Sequence, residues 1–136
     1  KQWEGFGRRI GLVSVYRTDI MDGEKPYGES QGFTQFVVVR LRLGRIEPGY
    51  EDYDLSDFRI WAYTNNGEVE YQANIHGHKT TRVNYGNDTE ETIVYEIMPS
   101  SHNFILCFQQ SIGYNLNTNK WLIDCGDYAY QFRFGD

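Results

Sequence analysis

Apolar and polar residues alternate with a period of two through most of this chain, and that period belongs to strands half-buried against a core. Within residues 33–43, Val37, Val39, Leu41 and Leu43 share one face with Gln35, while Arg40 and Arg42 share the other. A slip of one residue would bury both arginines, so the register here is firmly specified. The same alternation sets Phe58, Ile60 and Ala62 against Arg59, Trp61 and Tyr63. It sets Ile93, Tyr95 and Ile97 against Val94, Glu96 and Met98, and Phe104, Leu106 and Phe108 against Ile105 and Cys107. Near the end, Tyr128, Tyr130, Phe132 and Phe134 oppose Ala129, Gln131 and Arg133. Further strands are expected over residues 9–17, 68–75 and 120–124.

Turn residues punctuate these runs: Asp22-Gly23, Pro48-Gly49, Asn65-Asn66-Gly67, Gly86-Asn87-Asp88 and an Asn-rich run over 115–119. Asn66-Gly67 between two alternating runs is a hairpin signal, since both residues tolerate positive φ. No helical period is visible beyond a single turn at Asp54-Leu55-Ser56-Asp57, and residues 21–32 read as a polar loop. The expectation is an all-β, immunoglobulin-like antiparallel sandwich of seven to nine strands. With 136 residues and no repeat or linker, the chain is expected to form one domain over 1–136.

Composition narrows the partners. Aromatic residues make up 16%, which suits pleated, half-buried surfaces. The formal net charge is −6, so a nucleic-acid backbone or an anionic membrane surface is not expected as a partner. The arginines between Arg8 and Arg45 make the first third more basic, and Arg40 and Arg42 read as the solvent face of a strand. No stretch approaches the ~20 apolar residues of a membrane helix, so no membrane insertion of these residues is expected. The chain opens at Lys1 without Met or a signal peptide, which suggests a mature or trimmed form with a leader or anchor upstream.

The motifs divide into chemistry that is absent and binding features that are present. There is no Gly-x-Ser-x-Gly elbow, no His-Glu-x-x-His pair and no phosphate-cradling glycine loop, so neither an enzyme nor a cofactor is expected. Residues 47–57 hold Glu47, Glu51, Asp52, Asp54 and Asp57. Their spacing does not match a helix-flanked calcium loop, and they read as a solvated, salt-sensitive link between strands. Asp54 is placed to cap the turn that follows it. His76 and His78 alternate as a metal pair would but lack a third ligand by spacing, and read as exposed loop residues. Cys107 and Cys125 both fall in expected strands and are expected to lie close enough for a disulfide, with two buried thiols as the alternative. Asn87-Asp88-Thr89 fits a glycosylation acceptor. Trp61, Tyr63 and Tyr71 would cluster near one hairpin, as a sugar-stacking or protein-anchoring surface or as part of the core.

The layout carries a resemblance. FVVVRLRL, a short acidic link, DLSDFRIWAYTNNGEVEY, TEETIVYEIMPSSHNFILCF and YAYQFRF resemble, in order, the strands of an extracellular immunoglobulin-like domain family. Such domains sit on bacterial and archaeal lipoproteins and secreted proteins. Pro48-Gly49 with Asp54-Leu55-Ser56 is also similar to the β-domains of archaeal flagellins and archaellum stator proteins. Both resemblances imply a location outside the cell and supply no catalytic residues. The function expected is therefore an extracellular or cell-surface binding or structural module whose partner is a protein or a glycan. The alternatives are a carbohydrate-binding module built on Trp61, Tyr63 and Tyr71, and an archaellum or pilus-type accessory or filament domain.

Overall fold

The computed structural model describes residues 2–5, 7–19, 32–74, 79–108, 114–115, 120–121 and 131–134. Its strands are β1 (Gln2–Gly5), β2 (Arg8–Thr18), β3 (Gln35–Arg45), β4 (Tyr50–Asp54), β5 (Phe58–Thr64), β6 (Gly67–Tyr71), β7 (Thr80–Asn84), β8 (Asp88–Ile97), β9 (His102–Phe108), β10 (Tyr114–Asn115), β11 (Lys120–Trp121) and β12 (Gln131–Phe134). One four-stranded sheet runs β1-β2-β3-β8 and a second runs β12-β9-β5-β6. β4 pairs with β7, and β10 with β11, as two-stranded ribbons. Every pairing is antiparallel. This is the antiparallel sandwich expected from the alternation.

The core lies between the faces that the alternation assigns inward. Val37, Val39, Leu41 and Leu43 of β3 meet Ile93, Tyr95 and Ile97 of β8, Phe58, Ile60 and Ala62 of β5, and Phe104, Leu106 and Phe108 of β9. Arg40 and Arg42 are exposed, and Arg42 reaches Glu90 of β8 at 3.0 Å. Phe36 and Val38 are also buried although they face away from that cluster, so β3 starts with both faces covered. The β5–β6 hairpin forms with Thr64 opposite Gly67. Only Gly67 there takes positive φ, at 109°, while Asn65 and Asn66 do not.

Residues 47–57 depart from the expected solvated link. Tyr50–Asp54 is strand β4, and Leu55–Asp57 is one turn of 3-10 helix. β4 pairs with β7, which the sequence pattern also left unassigned. The reason is non-local. Glu51 points inward and meets Arg8 of β2, and Arg45 at the end of β3 lies 3.7 Å from it. The charges that make the segment look like a loop are matched by arginines from other strands. With the short pieces β1, β10 and β11 counted as well, the described strands number twelve rather than seven to nine.

Two buried tyrosine hydroxyls are paired with backbone carbonyls, as an interior requires, while among the described residues Arg8 Nη1, Arg59 Nε and Trp61 Nε1 are buried without a hydrogen-bond partner. Tyr53 donates its hydroxyl to the Gly44 carbonyl at 2.6 Å, and Tyr95 to the Phe58 carbonyl at 2.8 Å. On the surface, Arg17 donates to the carbonyls of Ser101 and Pro99 and to Gln35 Oε1, with its guanidinium over the Phe104 ring. Arg17 thereby ties β2 to the β8–β9 turn.

Candidate functional site

β5 carries the first aromatic surface. Trp61 and Tyr63 share its outward face; Tyr63 is 44% exposed and its ring lies 6.2 Å from the His102 ring. Trp61 is half-buried, and its Nε1 is buried with no hydrogen-bond partner. Beside it, Arg59 Nη1 donates to Glu70 Oε1 at 2.7 Å. Tyr71 does not join this surface. It is 4% exposed and lies in the core, where its hydroxyl accepts from the Met98 N–H at 3.1 Å and bonds Ser101 Oγ at 2.6 Å. The two-residue turn pairs odd positions of β5 with even ones of β6, so Trp61 faces Glu70 while Tyr71 faces Ile60. The grouping of three aromatics is therefore corrected to two.

Two further exposed tyrosines, not singled out in the sequence, stand at the end of the β4–β7 ribbon. Tyr50 is 53% exposed and Tyr85 57% exposed. They flank neighbouring turns, joined by the Tyr85 N–H donating to the Gly49 carbonyl at 2.9 Å. Gly49 at φ 104° and Gly86 at φ 83° hold conformations that a side chain would resist. The Gly86 N–H donates to the Arg45 carbonyl at 3.2 Å, and the Asn87 N–H to the Asn84 carbonyl at 3.0 Å. Arg82 lies with its Cζ 3.9 Å from the Tyr50 ring centroid. Both arms of its guanidinium donate to Asp52, at 2.8 and 3.0 Å. That bidentate hydrogen bond holds the Asp52 carboxyl below its ordinary value. Asn84, the strand partner of Tyr50, and Asn87 are exposed.

The inward side of β4 carries a buried ionic cluster. Arg8 is 6% exposed, bonds Glu51 and lies over the Phe108 ring at 5.6 Å. Arg45 also donates to the Glu47 and Pro48 carbonyls, fixing the turn that leads into Tyr50. A Cβ on Gly7 would run into the Arg45 guanidinium, so that glycine leaves room for it. Tyr53 sits beneath, its phenol raised above its ordinary range chiefly by burial. A sequence signal for the tyrosines existed in Pro48-Gly49-Tyr50 and Tyr85-Gly86-Asn87, since residues beside turn glycines tend to be exposed. That the two turns meet is a tertiary fact.

The five carboxylates of residues 47–57 do not converge. Glu47 faces Arg45, Glu51 joins Arg8, and Asp52 joins Arg82. Asp54 accepts from the Ser56 N–H at 3.0 Å and from its hydroxyl at 2.6 Å, capping the 3-10 turn. Among the described residues no group of three or more His, Cys, Asp or Glu could hold a metal ion. His76 and His78 lie outside the described residues, as does Cys125, so the disulfide stays an expectation. The backbone of Cys107 pairs with Arg59 and Gln131. Asn87 of the acceptor triplet is exposed on the β7–β8 turn.

No protein-family model matches the chain, and no curated protein matches it. Its structure is similar to that of MPT63, a secreted protein from Mycobacterium tuberculosis solved at 1.5 Å. The TM-score is 0.52 with 14% identity, over 77% of this chain and 76% of that one. At this identity the likeness is one of fold, a β-sandwich, and it reaches no finer family.

Proposed function

We propose that the chain is an extracellular or cell-surface binding or structural interaction module without catalytic activity. The observation that carries this reading is the set of exposed tyrosines among the described residues, Tyr16, Tyr50, Tyr63 and Tyr85, held on or beside paired strands. Tyrosine presents a large amphipathic area at a small entropic cost, because only two torsions are frozen on contact. The partner is a protein or a glycan at the cell surface, and the net charge of −6 argues against a nucleic acid. A β-sandwich shared with a secreted protein is in keeping with a location outside the cytoplasm. Protease treatment of intact producing cells, with fractionation of the full-length product, tests the location. Surface cleavage or release into the medium is expected, and recovery only from the cytosol would overturn the reading.

The same location implies an oxidising environment, in which Cys107 and Cys125 would be bridged. The native protein should then yield no alkylated cysteine until reductant is added, with a mass gain of two hydrogen atoms on reduction. Two thiols that alkylate in the native protein would reject the bridge.

A further inference from the structure

We propose that two copies of this chain pair edge to edge along β2, over residues 13–17, so that one sheet continues across a two-fold axis. The inference goes beyond the module reading and does not depend on where the protein resides.

First, β2 has an open edge. β1 pairs only with residues 8–11, and Gln2 opposite Gly11 is the last pair. Beyond it, among the described residues, β2 is paired on one side alone, with β3. Val13 is 42% exposed and Tyr16 53%, and Ser14 and Arg17 are exposed beside them. Leu12 and Val15 pack against the core yet are only partly buried. A strand laid alongside would cover both and pair the backbone groups on that side.

Second, the edge lacks the protection that others have. Along β8 the Asn74 N–H donates to the Val94 carbonyl at 2.8 Å, and Lys79 and Thr81 bond Glu91. β6 carries Glu68 and Glu70. Residues 12–17 include no acidic residue, so two copies can meet there despite a net charge of −6 each. The bulge between Leu12 and Ser14 is the one irregularity, and from Ser14 to Thr18 the register with β3 is unbroken.

Third, the seam complements itself, which singles out a second copy as the occupant. Antiparallel pairing about Val15 sets Val15 against Val15 and Ser14 of each copy opposite Tyr16 of the other. Ser14 is the register partner of Arg40, and Tyr16 that of Val38, so both point to the outer face with Arg40. Arg40 is exposed, and its side chain has no ion pair or hydrogen bond among the described residues. In the paired sheet it would stand two strand spacings, about 10 Å, from the second copy's Tyr16, with only a serine between. A long guanidinium side chain and a ring leaning towards each other can close that span to the ~6 Å of a cation–π contact. The symmetry makes this contact twice.

Sedimentation equilibrium on the intact chain, up to about 1 mM, tests this. A reversible doubling of mass is expected, weak because the seam is shorter than a standard interface. Amide hydrogen exchange of residues 13–17 should slow as the protein concentration rises. Tyr16→Lys should give a folded monomer, since a lysine on an exposed edge opposes strand addition. Arg40→Ala should weaken the dimer about tenfold through the loss of two cation–π contacts. Glu68→Gln, on the other sheet, should leave association unchanged, and circular dichroism checks that each variant keeps the sandwich. A single mass across the whole range, a dimer that survives Tyr16→Lys, or protection gained outside residues 13–17 would each overturn the proposal. So would residues 13–17 already protected in the dilute monomer, because the chain itself would then occupy the edge. None of these outcomes bears on the cellular location, which protease accessibility decides.

Discussion

Asp52 and Asp54 lie two residues apart in one strand and do different work. Asp52 serves Arg82, and through it the Tyr50 ring. Its carboxyl is held below the ordinary value of 3.8 by that hydrogen bond. Being depressed in the folded state, it favours folding fully above the unfolded value, and the contribution fades as pH falls through the folded one. An NMR titration should place its midpoint below that of an ordinary aspartate, and Arg82→Gln should return it to the ordinary range; an unchanged midpoint would count against the pairing. Asp54 serves the backbone, taking the Ser56 N–H into the 3-10 turn. Asp54→Ala should cost about 1 kcal/mol in a denaturant melt, with the same loss in the presence and absence of calcium. A loss that appears only with calcium would mean that the side chain holds an ion rather than a cap.

Strand β4 exists because other strands neutralise it. Its inward Glu51 faces two arginines, Arg8 and Arg45, that arrive from β2 and β3, and all three are largely buried. Removing one member of a buried ionic cluster leaves the others uncompensated, which costs more than the pair itself contributes. Glu51→Gln should therefore destabilise by about 3 kcal/mol, while Glu47→Gln, exposed beside Arg45, should change stability by less than about 0.5 kcal/mol. Equal effects in urea melts would show that the inward placement of Glu51 carries no weight. The acidic run also shows why such a strand is hard to read locally. Glu51, Asp52 and Asp54 place charge on both faces, so no apolar period survives, and the partners that restore the pattern lie as far away as Arg8. β3 is the opposite case, because Val37, Val39, Leu41 and Leu43 fix its register without help from any neighbour.

Across the sandwich, buried phenols link the two layers to the backbone. Tyr53 and Tyr95 both have their ionisation pushed well above the ordinary value of 10, in each case chiefly by burial. The unfolded chain would release these protons near pH 10 while the folded one keeps them. Their contribution is thus whole below pH 10 and is lost as pH rises beyond it. Absorbance at 295 nm should show a fraction of the tyrosines resisting ionisation until the far-ultraviolet signal collapses, whereas Tyr50, Tyr63 and Tyr85 are exposed to solvent. Ionisation of every tyrosine before any loss of secondary structure would contradict the burial of Tyr53 and Tyr95. The two phenols end on carbonyls of Gly44 and Phe58, so a melt initiated by alkali should begin with the packing between the sheets.

The sequence by itself determined the layers. A period of two, repeated through the chain, can satisfy its apolar faces only by stacking sheets, and it named the core residues of β3, β5, β8 and β9 one by one. It also determined which arginines of β3 face outward, because the alternative buries unpaired charge. Only the tertiary structure decided where the surface chemistry gathers. Tyr71 went to the core because a two-residue turn shifted the parity of β6, a choice of loop geometry that alternation within one strand does not contain. The turns that carry Tyr50 and Tyr85, distant in sequence, were brought side by side by one backbone hydrogen bond at the end of a paired ribbon. Burial is encoded locally, since each strand must hide its own apolar face. A site is made by residues distant in sequence, and their proximity is a property of the closed sandwich alone.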